Sequence, residues 1–498
     1  MGSDEGVQFR SVDGRRSTTA TGRTVFAAAA QASDPDLAAR IRATAEWRKK
    51  YVGPARDLVA VGGRSGATSL TISAAGLDTL WAEFRWAADG RDLPLAEAFA
   101  VPGAGFATRS FVGGSETRPG FAVPYRGRLL EGSDLRAQAR RWVEAGVAEP
   151  SLLPALDAAL AHPDWFDLSR TTVVVLGAGA ELAPLRELLS WGAQVLAVDL
   201  PRPDAWRRII AAVDGTPGVL HVPVPRGSAV GASAASADEI AEVAGADLLT
   251  QLPDVAQWID GFDGQLVLGN YLYADGATNV RLSMASDALA AHLAHRDPVL
   301  AFLATPTDAF QVGADVVLDS RDRWDRHVLA RATRLPLRVA NLFQPNYPDL
   351  LRSDDGVDYA VADCLVPQQG PNYLLAKRMQ RWRAIVDRAA GRRVSLNVAP
   401  ATRTRSVVKN RMLAAAYAGA GRFGLEIFEP DTTNSLMAAL MVRDLNDPLS
   451  ATNPDVRLLH PSQLFTEAAV HGGLWRSAFS PRSVLGVAAV VGMIERAA

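Results

Sequence analysis

The sequence predicts an α/β protein built on a doubly wound parallel sheet of the Rossmann type, with a helical N-terminal region and a C-terminal helical extension. Three observations predict it. From Arg170 onward, segments that are apolar throughout alternate with amphipathic ones, as expected for parallel strands covered on both faces. The first such segment, TTVVVL, runs into Gly177-Ala178-Gly179. The second, AQVLAVDL, ends near Asp199, about 20 residues further on.

Taken in order, residues 1–165 read mostly as helices and loops. Asp34 to Tyr51 reads as a charged helix, Leu77 to Ala88 as an apolar and aromatic one, and Arg136 to Ala161 as a third. Between them, Val101 to Gly127 is rich in Gly, Pro and Arg and reads as a long loop. After the first strand, ELAPLRELLSWG reads as a helix. Strands are expected at 218–224, 265–272 and 299–308, with helices at Asp247–Ile259 and Asn279–Arg296. An irregular segment follows over about 311–356, then VDYAVADCLV as a further strand, and a helix carrying Tyr373. RRVSLNVAP reads as a strand and is followed by a helix from Ser406, GLEIFEP (424–430) and an apolar helix over Val484–Ile494 expected to be buried. The resulting division is 1–165, a nucleotide-binding unit over 166–430 with an insertion at about 309–370, and an extension over 431–498.

Composition sets limits on function. At 498 residues, 48% hydrophobic and 21% charged, the chain is long enough for two domains or one elaborated domain. A net charge of −2 with no basic block argues against nucleic-acid binding. The polar start MGSDEGVQFR and the lack of a long apolar run argue for a cytoplasmic protein with no transmembrane segment. The lone Cys364 can form no internal disulfide and reads as a small buried residue. Basic residues are almost all arginine, with lysine only at 49, 50, 377 and 409.

A glycine pair where a strand becomes a helix permits a tight turn and lets a phosphate approach the backbone, with the helix N-terminus supplying N–H groups and positive dipole. Gly177 and Gly179 occupy those positions, and Leu182 replaces the third glycine. Asp199 can accept ribose hydroxyls, which favours NAD, whereas Arg202 and Arg207 could instead hold the 2′-phosphate of NADP. The same unit looks like the first motif of S-adenosylmethionine methyltransferases.

Tyr373 and Lys377 are four residues apart and share a helix face. A cation one turn away stabilises a phenolate and brings a tyrosine toward general-base chemistry. The opposing reading is a packed tyrosine on a solvated helix.

With these pieces in order, the chain resembles the short-chain dehydrogenase/reductase family. The resemblance covers about 170–430 and rests on Gly177-Ala178-Gly179, Asp199, LVLGNY with Asn270, LATPTD, Tyr373-x-x-x-Lys377 and VSLNVAPATRT. It implies hydride transfer between NAD or NADP and the alcohol/carbonyl pair of a small-molecule substrate. Tyr373 would move the proton, and Lys377 would hold the ribose. Thr305 or Thr307 would orient the oxygen, while Gly177, Gly179, Asp199 and Asn270 would shape the cofactor site. A homo-oligomer fits this expectation. The sequence departs from the family in its two-glycine turn and in the 65 or so residues between Thr307 and Tyr373. Its alternatives are methyl transfer and an inactive Rossmann-fold protein kept for assembly or sensing.

Other constellations carry less. His292 and His295 lack partners at metal-ligand spacing, and no G-x-S-x-G marks a hydrolase. Trp324, Phe343 and Tyr347 could line a lid over an apolar substrate or form a satellite core.

Overall fold

The computed structural model describes residues 5–101, 103–228, 235–326 and 342–497. Its centre is a seven-stranded sheet made of β1 (Phe106–Val112), β2 (Thr171–Leu176), β3 (Gln194–Val198), β4 (Val219–Pro225), β5 (Gln265–Asn270), β6 (Val299–Ala304) and β7 (Val394–Val398). The spatial order is β7-β6-β5-β2-β3-β4-β1. All pairings are parallel except that of β1 with β4. The helices used below are α1 (Gly66–Glu83), α2 (Leu185–Ser190), α3 (Gly276–His292), α4 (Gly370–Ala389), α5 (Arg411–Gly419), α6 (Pro430–Asn446) and α7 (Pro481–Ala497).

The strands are apolar throughout because both faces are covered. Val174, Leu176, Leu196, Leu268, Phe302 and Leu396 point into one core, shared with α1, α3, α4 and the helix Thr18–Gln31. Val173, Val175, Val195, Val222, Val267 and Ala301 point into the other, shared with α2 and α6. The period-2 alternation of strand side chains splits each strand between these two cores. The segment Val7–Trp86 belongs to the first of them, so the N-terminal helices form one wall of the sheet's own core.

Several expectations change. Residues 1–165 are not all helical: Gly6–Phe9, Phe84–Ala88 and Arg91–Pro94 form an antiparallel sheet. The helix expected over Leu77–Ala88 therefore stops at Glu83. The long loop expected at Val101–Gly127 contains β1, the antiparallel edge of the main sheet. The charged helix breaks at Thr44 and restarts at Trp47, after Glu46 takes a left-handed conformation. In the insertion, Ala309–Gly313, Leu351–Arg352 and Asp358–Asp363 form a separate three-stranded sheet, with a helix over Ala314–Arg326. The rest of the segment expected to be irregular falls partly on 327–341, outside the described residues. GLEIFEP contributes a single bridge, Thr402 to Phe428.

The apolar C-terminal helix α7 is only half buried. It packs closely on α5: a Cβ at Gly419 would lie 2.1 Å from the Ala488 carbonyl oxygen, and one at Gly492 would lie 2.0 Å from that of Ala415. Backbone cannot yield as a flexible side chain can, so any side chain at Gly419 forces the helices apart. Gly419→Val is expected to destabilise the protein by about 1–3 kcal/mol in urea unfolding. Gly421→Ala, where nothing lies within 4 Å of the added Cβ, should fall within about 0.5 kcal/mol of wild type.

Candidate functional site

The carboxyl ends of the parallel strands gather the residues singled out in the sequence. The turn after β2 holds Gly177 and Gly179, and the end of β3 leads to Asp199. β5 ends at Asn270, and the turn after β6 carries Thr305 and Thr307. α4 brings Tyr373 and Lys377 back over this edge. It starts at Gly370, whose φ of +79° suits glycine, with Pro371 in the first turn where its missing N–H costs nothing. Leu374, Leu375, Met379, Trp382 and Ile385 bury its inner face.

Thr305, Thr307, Tyr373 and Lys377 meet around one cavity, with Tyr51, Asp308 and Gln369. Its volume is about 10 Å³, room for about one water. Thr305 stands beside the Tyr373 phenol. Thr305 Oγ1 lies 2.9 Å from Thr307 Oγ1, which accepts from Gln369 Nε2 at 2.8 Å. The Tyr373 ring keeps some accessible surface and meets Tyr273 edge-on at 6.2 Å, but its phenol end is enclosed. Tyr273 belongs to the loop after β5. Two residues earlier, the Tyr271 carbonyl lies 3.1 Å from where a Gly177 Cβ would be. The phenol's ring and the glycine turn thus both neighbour the short loop after β5.

The pair is not wired as a general base. Lys377 Nζ donates to the Leu303 carbonyl at 3.0 Å and to Gln380 Oε1 at 3.3 Å, with no bond to Tyr373. Burial pushes the phenol well above its usual 10. Burial also lowers the amine to about 8, against some support from Asp308.

The sequence reading missed the group that fixes this geometry. Asp308, next after Thr307, is fully enclosed and meets Arg378 Nη2 at 2.8 Å and Arg381 Nη1 at 2.9 Å. Arg381 also donates to the Ala309 carbonyl, and its guanidinium lies 4.1 Å from the Phe310 ring centroid. Two arginines at i, i+3 on an otherwise apolar helix face were the available signal.

The glycine turn does not fit a pyrophosphate. Gly177 has φ +82°, as a tight turn requires, but the N–H groups of Gly177 and Ala178 go to the Val198 carbonyl. That of Ala180 goes to Gly177, and that of Gly179 to Asp199 Oδ2 at 2.7 Å. α2 starts only at Leu185, six residues after Gly179, and spans six residues. The Glu181 carboxylate fills the side facing Arg405, accepting its N–H at 2.8 Å.

The remaining cofactor candidates are also engaged. Asp199 Oδ1 accepts from the Leu200 N–H at 2.8 Å and from Arg202 at 3.2 Å. Arg207 forms exposed ion pairs with Asp204, Asp238 and Glu242. Asn270 braces strand to helix, donating to Ser286 Oγ and accepting from the Leu272 N–H. Trp324 and Phe343 pack on Phe479 beneath α7, and Tyr347 donates to the Trp475 carbonyl, which makes them satellite core rather than a lid. Cys364 is buried, as expected. Among the described residues no helix is long and apolar enough to cross a membrane, and no group of three or more His, Cys, Asp or Glu is placed to hold a metal ion.

No protein-family model matches the chain, and a search of curated proteins finds no match.

Two outcomes follow. Asp308→Ala leaves two buried guanidinium groups without their shared carboxylate and is expected to cost about 3–5 kcal/mol in urea unfolding. Lys377 has a lower pKa folded, about 8, than the ordinary 10.5, so between these values the unfolded chain holds the extra proton and stability rises with pH. Lys377→Met lacks this dependence. Its stability advantage over wild type should be largest near about pH 7 and shrink toward about pH 10, measured by urea unfolding at both.

Proposed function

We propose that the chain is a catalytically inactive Rossmann-type scaffold, of the assembly or sensing kind, whose nucleotide end is closed by its own groups. The strand order supports the Rossmann part. Numbered from the glycine strand, the six parallel strands run 3-2-1-4-5-6, the order of doubly wound dinucleotide-binding sheets. The single observation carrying the inactive part is the glycine turn, whose N–H groups at 177–180 are all spent on the protein itself. Space for a ligand lies elsewhere: a cleft of about 320 Å³, lined by Leu70, Ile385, Leu458, Pro461 and Leu464 among others, is in the size range of small-molecule sites.

A second reading is an NAD(P)-dependent oxidoreductase of the short-chain type acting on an alcohol/carbonyl pair. One observation favours it: Thr305, Thr307, Tyr373 and Lys377 converge on one cavity although the turn and the helix are some 65 residues apart. A raised phenol pKa and a lysine turned to Leu303 speak against that chemistry in this arrangement. Methyl transfer relies on the same closed glycine turn.

A thermal-shift panel separates the readings. The scaffold reading expects NAD, NADH, NADP, NADPH and S-adenosylmethionine to leave the melting temperature within about 1 °C of the free protein. A rise of several degrees with one dinucleotide, as a site filled to about 100 times its Kd would produce, supports the oxidoreductase instead.

A further inference from the structure

The apolar C-terminal segment singled out in the sequence has one face that the fold does not use. α7 is anchored from below by Val484 and Ala488 against Phe423 and Phe479, and by its close contact with α5. Its outer stripe is Val490, Met493 and Ile494, exposed at 51%, 53% and 64%. The two helices run antiparallel, since Gly419 faces Ala488 and Ala415 faces Gly492. Continuing that register, Met412, 65% exposed, lies beside the turn holding Met493 and Ile494. Val408, just before α5, is 43% exposed. Four large apolar side chains thus stand in water on two packed helices, with Val408 just outside them, which calls for a partner.

Charge decides which partner. Residues 388–425 contain no acidic residue at all, and the part bordering the patch carries Arg403, Arg405, Lys409, Arg411 and Arg422. Arg403, Arg405 and Arg422 have carboxylates within 4.0 Å, at Glu429, Glu181 and Glu495. Lys409 and Arg411, which flank Met412 and Val408, carry no ion pair among the described residues and are exposed. Lys409 is one of four lysines in a chain that otherwise uses arginine. A second copy of the chain is a poor match, because a twofold contact brings two sets of Lys409 and Arg411 together while Glu495, the acid on α7, is already paired with Arg422. An anionic bilayer surface supplies negative charge over an apolar layer, which a basic amphipathic helix face complements.

We propose that α5 and α7 form a docking face for anionic membrane surfaces. The helices lie flat on the surface, with Met412, Val490, Met493 and Ile494 entering the headgroup boundary and Lys409 and Arg411 contacting lipid phosphates. This proposal does not rest on the reading of the nucleotide end: none of Lys409, Arg411, Met412, Val490, Met493 and Ile494 was assigned a role there.

Co-sedimentation of the full chain with vesicles tests it. Binding is expected to vesicles of phosphatidylcholine with about one-third phosphatidylglycerol, and not to phosphatidylcholine alone. Lys409→Gln with Arg411→Gln should weaken binding about thirtyfold, the loss of two cations at the surface. Met412→Ser with Met493→Ser should abolish it while leaving the melting temperature unchanged, since both positions are exposed. No binding to either vesicle, equal binding to both, or unaltered binding by both variants overturns the proposal. So does a dimer in equilibrium sedimentation that Met412→Ser with Met493→Ser dissociates, since a second copy would then own the face.

Discussion

The buried ion triad of Asp308 with Arg378 and Arg381 is the constraint on which the carboxyl edge of the sheet depends. It ties the turn after β6 to the third turn of α4, and so sets where Tyr373 and Lys377 fall relative to Thr305 and Thr307. Charges this deep are retained only when their partners are held in place. The enclosing groups do this: Arg381 lies against Phe310 and Phe465 and bonds the Ala309 carbonyl. Burial beside the triad disfavours a protonated Lys377, although Asp308 itself favours the charged amine. The amine therefore turns to a carbonyl and an amide oxygen rather than to a phenolate.

The same logic of self-satisfaction runs along the edge. Asp199 accepts from Gly179, Leu200 and Arg202, Asn270 links Ser286 to Leu272, and Glu181 takes the Arg405 N–H. Each residue that could serve a nucleotide is already a member of an internal hydrogen bond. Buried polar groups left unpaired are costly, so an edge with no ligand to satisfy it is stable only when its groups satisfy one another. This self-satisfaction is the ground on which the proposed scaffold reading stands.

Much of the fold was legible because it depends on local pattern. β2, β3, β5, β6 and β7 all fall within the continuous apolar runs, and Gly177 takes the left-handed conformation its position suggested. What failed depends on partners distant in sequence. FATRSFV alternates in burial and sits among glycines and prolines, so it reads as loop until β4 pairs with it. Phe84–Ala88 continues the apolar spacing of α1, yet pairing with Gly6–Phe9 wins. The short α2 was readable in principle: Pro184 disfavours helix at the residue before it and lets helix begin only afterwards. In the candidate site, the convergence of Thr305 with Tyr373 was legible from motif order, but the direction of Lys377 was not. Sharing a helix face does not decide which acceptor a flexible amine finds, and that acceptor is set by Asp308 and the end of β6.

The most direct test of the closed, unactivated edge is the ionisation of the Tyr373 phenol itself. Ultraviolet difference titration of wild type against Tyr373→Phe isolates one phenol from the eight tyrosines. The account predicts that the two titration curves coincide up to about pH 10, because burial keeps this phenol neutral beyond the ordinary range. A phenolate appearing in wild type below about pH 9 and missing from the variant would contradict it, and would mean that Lys377 activates Tyr373 after all.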